Sequence, residues 1–465
     1  MPSIRGGGPM MGRVPPSTTR TYRASAAGWA MTDLESPTVP LPLGGQAEDG
    51  WRAPQHRDGM TLVLSSAMSS GLGMLFWVLA ARLFDATTVG LNSTAVSAMT
   101  LLGSAAHLNL GNAMLRFVPV SVRPGALITG CVAVGVGVAV VFGLVFGLGA
   151  GVWAPDLLQA FGHPVLIVFF VISTPLYTVF VLKDAALTAL KRADLVLVEN
   201  LAFALLKIGL LVAAAWLGLA GGIAAGWVVA TLVIVLAASG LLTRALRTAT
   251  PAAPTAAAVT VRDLGTFVGA DYAGNICWQA AVFGLPLVVI ALAGADGAAV
   301  YGVVWQIAFA LYLVVIGMGK SMVAHAAAGG SAAADRARRG MERKAMTLMI
   351  PGVAVIAAGA YPILWVFGST YAQTGTLLLV LLALSAIPNV VTNSAVWEAR
   401  VRRARAVLVA IPAALSAMVI VGTVVLVPAI GVTGAGWAWL GAQSVLAAVV
   451  LLRRRSARHL NLRAA

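Results

Sequence analysis

The chain has 465 residues, 60% of them hydrophobic and only 10% charged, with a net charge of +15. A soluble surface needs about a quarter of its residues charged, so a water-soluble globular fold is excluded. The cations sit in short loops between apolar segments without interleaved aromatics, which excludes nucleic acid as the partner and points to anionic membrane lipids.

Residues 1–58 are rich in Pro, Gly, Ser and Thr and lack hydrophobic periodicity, which predicts a disordered tail. No apolar region precedes a cleavage site, so no signal peptide is expected. Four Arg and no acid in the first 32 residues leave Met31 and Met60 as alternative starts. Apolar windows of about 20 residues, enough to cross hydrocarbon as a helix, then recur along the chain. They predict twelve spans: 60–82, 88–115, 125–150, 164–188, 194–217, 221–243, 264–293, 298–322, 345–367, 374–396, 404–427 and 433–452. The expected fold is an all-α polytopic membrane protein.

Alternate loops carry almost all the cations, among them Arg116, Arg123, Lys183, Lys191, Arg192, Arg244, Arg336, Arg338, Arg400 and Arg453. The other set holds Arg82 and almost nothing else, a one-sided placement that puts both termini in the cytoplasm. A Pro/Ala linker at 244–261 divides a six-helix lobe at 59–243 from a second at 262–452, followed by a basic tail at 453–465. Three phrase pairs recur in order, 208 to 213 residues apart: "GNAML" (111–115) with "GKSMV" (319–323), "DATTVG" (85–90) with "DGAAVYG" (296–302), and "GLAGGIAAGW" (218–227) with "GVTGAGW" (431–437). Six spans per half keep both in the same orientation, so the repeat is parallel and leaves a central cavity between two lobes.

Ionisable and amide side chains inside the spans are the site candidates, because each is costly in hydrocarbon. Lys207 falls about 19 Å along span five, near the midplane, with Asn200 on the same face. It either meets an anionic cargo or snorkels toward a neighbour. Asp271, Asn275 and Gln279 form one stripe on span seven with Trp278 beside it, suited to a sugar's hydroxyls and ring face or to bonding between helices. Asp271 is the candidate for ion coupling, and Gln306 is a weaker cavity candidate. Arg116, Lys183 and Lys320 lie at the feet of their spans, either flanking a cytoplasmic mouth or anchoring topology. His107 reads as a proton carrier or a hydrogen-bonded structural residue. Arg82 reads as an outer gate or a headgroup contact. Cys131 and Cys277 lie within apolar spans as small core residues, and no metal or cofactor is expected. Outer connections are short and no nucleotide-binding motif occurs, so neither an enzyme nor a primary pump is expected.

The stretches "SS…GLGMLFWVLAARLF", "D…VG" and "LNLGNAMLRFVP", with Gly111, Ala113, Leu115, Arg116, Phe117 and Pro119, resemble the polysaccharide-transport branch of the multidrug/oligosaccharidyl-lipid/polysaccharide exporter superfamily, the flippases of O-antigen and teichoic-acid units. The resemblance covers roughly 59–452 and is most specific in the first half. It implies two six-helix lobes that alternate between inward- and outward-open states. It implies a polyprenyl-diphosphate-linked glycan as cargo, a bacterial cell membrane as location, and glycosyltransferases or a polymerase of the same pathway as partners. Drug antiporters coupled to H⁺ or Na⁺ share the architecture and are the alternative; a non-transporting scaffold for glycan assembly is a third reading. On these assignments alanine at Lys207 or Arg116 weakens engagement of an anionic headgroup without lowering membrane levels, measurable as reduced glycan export.

Overall fold

The structure, a computed structural model, describes residues 71–463 except 122, 191, 249–260, 327–329 and 403. The expected tail, Met31, Met60, Lys191 and most of the linker lie outside the described residues. The first half holds α1 (Gly71–Leu83), α2 (Ala86–Ala106), α3 (Leu110–Phe117), α4 (Pro124–Leu148), α5 (Ala150–Trp153), α6 (Pro155–Phe161), α7 (His163–Ala189), α8 (Ala193–Trp216) and α9 (Gly222–Thr248). The second holds α10 (Val261–Ala326), α11 (Gly330–Ala358), α12 (Ala360–Trp365), α13 (Ser369–Val401), α14 (Arg405–Ile430) and α15 (Thr433–Arg463). No strand occurs among the described residues. Among the described residues eight helices are long and apolar enough to cross a membrane. In α10, positive φ at Gly294 (69°) reverses the chain, so its two arms account for two of the expected spans.

The expected second span breaks where continuous helix was anticipated. α2 stops at Ala106, Leu108 and Asn109 adopt φ of 48° and 58°, and α3 starts afresh at Leu110. Asn tolerates this left-handed region and Leu does so only under strain. One tertiary and one local bond hold the break. The Tyr272 hydroxyl of α10 donates to the Ala105 carbonyl at 2.7 Å, and the Asn109 N–H donates to His107 Nδ1 at 3.1 Å. His107 is thus a structural acceptor. Pro119 falls in a 3-10 turn (Val118–Val120) that follows α3 directly.

The loops that carry most of the Arg lie at one end of the long helices, and the two halves join at the other. Asp85 caps α2 by accepting the Thr88 N–H at 2.8 Å, which with the Thr88 hydroxyl holds its carboxyl below the usual carboxylate range. From the same turn the Thr87 hydroxyl donates to Asp296 of α10 at 2.7 Å. Gly90 allows the closest approach: a Cβ there would lie 1.8 Å from the Ala295 carbonyl oxygen. Around these contacts Phe76, Trp77, Val89, Leu211 and Ile223 share one core with Leu285, Val289, Tyr301, Leu378 and Trp439. Residues Arg57–Ala465 accordingly form one compact unit.

At the Arg-rich end Arg338, 5% exposed, pairs with Glu342 at 2.9 Å and Glu398 at 3.0 Å. Arg402 joins Glu398 to Asp335, each at 2.9 Å, and Arg454 reaches Glu342 at 2.8 Å. The network ties α11, α13 and α15 together and sets how α13 is rotated. Gly90→Val, which must displace backbone, lowers the thermal midpoint of the detergent-solubilised protein by the equivalent of about 1–3 kcal/mol. Gly441→Val, with nothing within 4 Å of its Cβ position, leaves it within about 0.5 kcal/mol.

Candidate functional site: a cavity between the halves

A cavity of 660 Å³ opens where the helices part toward their Arg-rich ends. The same helices supply both the cavity and the seal. In α13, Leu378, Leu379 and Leu382 lie in the shared core, whereas Asn389, Thr392, Asn393, Val396, Trp397 and Arg400 line the cavity. In the first arm of α10, Gly274, Asn275, Trp278 and Gln279 line it below Leu285 and Val289 of the core. Phe309 and Ile316 come from the second arm; Leu408, Ile411, Pro412 and Leu415 from α14; and Asn109, Asn112 and Leu115 from the first half. The lining thus holds six carboxamides, two Trp and one Arg, and no carboxylate among its described residues.

Hydrogen bonds hold these walls. The Thr392 hydroxyl donates to Gln443 Oε1 of α15 at 2.7 Å, and the Ser416 hydroxyl of α14 donates to the Cys277 carbonyl at 2.6 Å. Trp278 packs against Tyr312 and Trp439, with ring centroids 6.2 Å from each. The Arg400 guanidinium lies 4.1 Å from the Trp397 ring centroid, a cation–π contact at the cavity's Arg-rich edge.

Of the candidates read from sequence, the structure brings Asn275, Trp278 and Gln279 together in the cavity wall. Lys207 lies elsewhere. It is 6% exposed, and its ammonium sits over Trp227, Phe76 and Phe203 at 4.2, 4.9 and 5.1 Å, with no ion pair among the described residues. Aromatic faces compensate part of the lost hydration there, and the box takes the side chain away from the cavity. Lys183 is no open cation at a mouth either: it is buried against Asp184 at 2.6 Å and Glu199 at 2.8 Å, and Asn200 reaches Asp184 at 3.5 Å. Gln306 is exposed and off the cavity lining. The side chains of Arg116, Asp271 and Lys320 lie outside the described residues. Sequence reading missed Asn389, Asn393 and Trp397 and took Arg400 as a topology cation, although their spacings of four, four and three match the helical stripe recognised on α10.

At the opposite end Arg82 of α1 latches the second half. Its Nε donates to the Val366 carbonyl at 2.7 Å and its Nη2 to the Trp365 carbonyl at 2.8 Å, at the negative C-terminal end of α12. The guanidinium also lies 5.8 Å from the Trp365 ring. The cation without an inside-loop explanation is therefore a bond between the halves.

No family model and no curated relative matches the chain. Solved structures do. An inward-facing multidrug-resistance MATE transporter of the MOP superfamily aligns with a TM-score of 0.64 at 16% identity, over 83% of this chain and 94% of its own. The lipid II flippase MurJ in an inward closed conformation aligns with a TM-score of 0.56 at 11% identity, over 85% and 87%. A MOP-superfamily transporter from Pyrococcus furiosus, described by the reverse polarity of its binding pocket, aligns with a TM-score of 0.56 at 15% identity, over 86% and 94%. The chain thus shares its fold with these proteins, and it is a multi-pass membrane protein.

The latch yields a direct measurement. In a background lacking Cys131 and Cys277, Val89→Cys places a thiol at a position that is 0% exposed in the seal. Arg82→Ala removes charge-assisted bonds of roughly 1 kcal/mol after allowance for exposure, and raises maleimide labelling there about fivefold. An unchanged rate removes Arg82 from the closure.

Proposed function

We propose that the protein is a flippase for polyprenyl-diphosphate-linked oligosaccharides, moving the glycan headgroup across the membrane while the two halves alternate in opening. The observation that carries this reading is the chemistry of the cavity. Six carboxamides offer donors and acceptors to sugar hydroxyls, two indoles offer faces to sugar rings, and Arg400 offers the positive charge that a diphosphate needs. A cationic drug would call for carboxylates in the lining. Of the described carboxylates within the first half's helices, Asp184 and Glu199 are held by Lys183 and Asp194 by Arg192, and neither these nor Asp156 line the cavity. Charge placement puts the Arg-rich ends and both termini in the cytoplasm, so the cavity faces cytoplasmic donors and the Arg82 latch faces outward. The sugar and diphosphate enter at the Arg400 edge, and the polyprenyl tail stays in the bilayer. Asp271, one turn before Asn275 on α10, is the candidate ion-coupling group of the cycle, and glycosyltransferases or a polymerase of the same pathway are the candidate partners.

In a depletion strain complete lipid-linked oligosaccharide units accumulate in the inner leaflet, inaccessible to a periplasmic glycan probe. Wild type restores access, and Arg400→Ala restores less than about a tenth of it, a loss in keeping with removal of a charge-assisted contact. Unchanged lipid-linked glycans with altered sensitivity to cationic drugs would instead establish the antiporter reading.

A further inference from the structure

The two halves contribute unequal walls to the cavity, and their hydrogen bonds differ in kind. The amides of the first half are already engaged: Asn112 Nδ2 donates to Asn109 Oδ1 at 2.7 Å, within the first turn of α3. The amides of the second half are not. Asn275, Gln279, Asn389 and Asn393 make no side-chain hydrogen bond with any described residue. Asn389 is the extreme case, 1% exposed with an Oδ1 that has no partner. A buried carbonyl oxygen left without a donor is costly, and the cost recurs in every molecule unless something that enters the cavity supplies that donor.

The wall that carries these amides is also the firmly backed one. Thr392, one turn past Asn389 on α13, is bonded to Gln443 of α15. Trp278 is packed against Tyr312 and Trp439, and Tyr312 is itself bonded to Ser385 of α13 at 2.7 Å. Unspent donors and acceptors on a braced frame are what a selective binding site requires, since flexible amides would collapse onto each other.

We infer that α10 and α13 of the second half form a sugar-reading subsite, in which Asn389 accepts a hydroxyl or N–H from a neutral sugar whose ring lies on Trp278, with Gln279 and Asn393 beside it. The inference rests on the flippase reading and adds to it that cargo selectivity resides in the second half. The first half, whose amides pair with each other, closes over the cargo without reading it.

The test uses the full-length protein in detergent and two probes, farnesyl diphosphate and farnesyl diphosphate carrying one N-acetylglucosamine. Wild type binds the sugar conjugate about tenfold more tightly, as a site built to hydrogen-bond a hydroxyl does. In Asn389→Leu the ratio of the two Kd values falls toward one, and in Asn393→Leu it falls in part. Asn389→Ser, smaller and still polar, supplies a second variant should the leucine protein fail to fold, and it lowers the ratio as well. A wild-type ratio in a folded Asn389 variant overturns the subsite. So does equal binding of the two probes by wild type, which leaves the flippase reading standing. Binding of neither probe by folded wild-type protein overturns both.

Discussion

The approach of Gly90 to the Ala295 carbonyl is the contact on which the rest of the architecture depends. Only a residue without a side chain lets α2 meet the turn of α10 this closely. With the halves joined there, the helices bury their opposite ends in one core that includes Phe76, Val89, Tyr301 and Trp439, and they separate toward their Arg-rich ends. The cavity is the space this divergence leaves. Association in hydrocarbon depends on close packing rather than on exclusion of water, so a small residue at the crossing matters more here than it would in a soluble core. Arg82 and the Thr87–Asp296 bond add polar closure at the same end.

Buried charge is handled in three different ways. Lys183 is neutralised by Asp184 and Glu199 between α7 and α8. Lys207 has no ion pair among the described residues and sits over the rings of Phe76, Phe203 and Trp227, the last nearest. Arg338 is embedded in a multi-residue network that joins three helices of the second half. Removing one member of a buried pair strands its partner at a cost of about 3–5 kcal/mol, so the first and third arrangements hold the helix ends in register as well as solvating charge. The network has a consequence for the cavity. Ser394 and Glu398 of α13 are turned into it, so Asn389, Asn393 and Trp397 are left to face the opposite wall. At the first half's cavity edge Leu108 and Asn109 instead break the helix in a left-handed conformation.

Much of this was legible in the sequence, and the reasons can be located. The length and apolarity of the segments, together with one-sided Arg and Lys, specify helices and their alternation, because hydrocarbon demands internally satisfied backbone and penalises charge. The repeated "DATTVG" and "DGAAVYG" phrases flagged Asp85, Gly90 and Asp296, all of which lie where the halves meet. The i, i+4, i+8 stripe flagged Asn275 and Gln279 because a polar face on a buried helix must meet something polar. The same rule applied to α13 would have found Asn389, Asn393 and Trp397.

Partnership is what the sequence by itself could not determine. Lys207 reads as a cation near the midplane and Lys183 as one at the foot of its span, and neither position names its partners. Which of them meets a carboxylate, an aromatic box or a cavity depends on residues brought from other helices by packing. The break at Leu108 and Asn109 is likewise a tertiary decision, since Tyr272 from the other half supplies the bond that the interrupted helix lacks. The sequence alone determined a helical membrane protein with its charges on one side, because local periodicity and solvation energy suffice for that. Tertiary structure alone decided which amides remain unspent in the cavity, because a hydrogen bond belongs to two side chains and only folding brings the second.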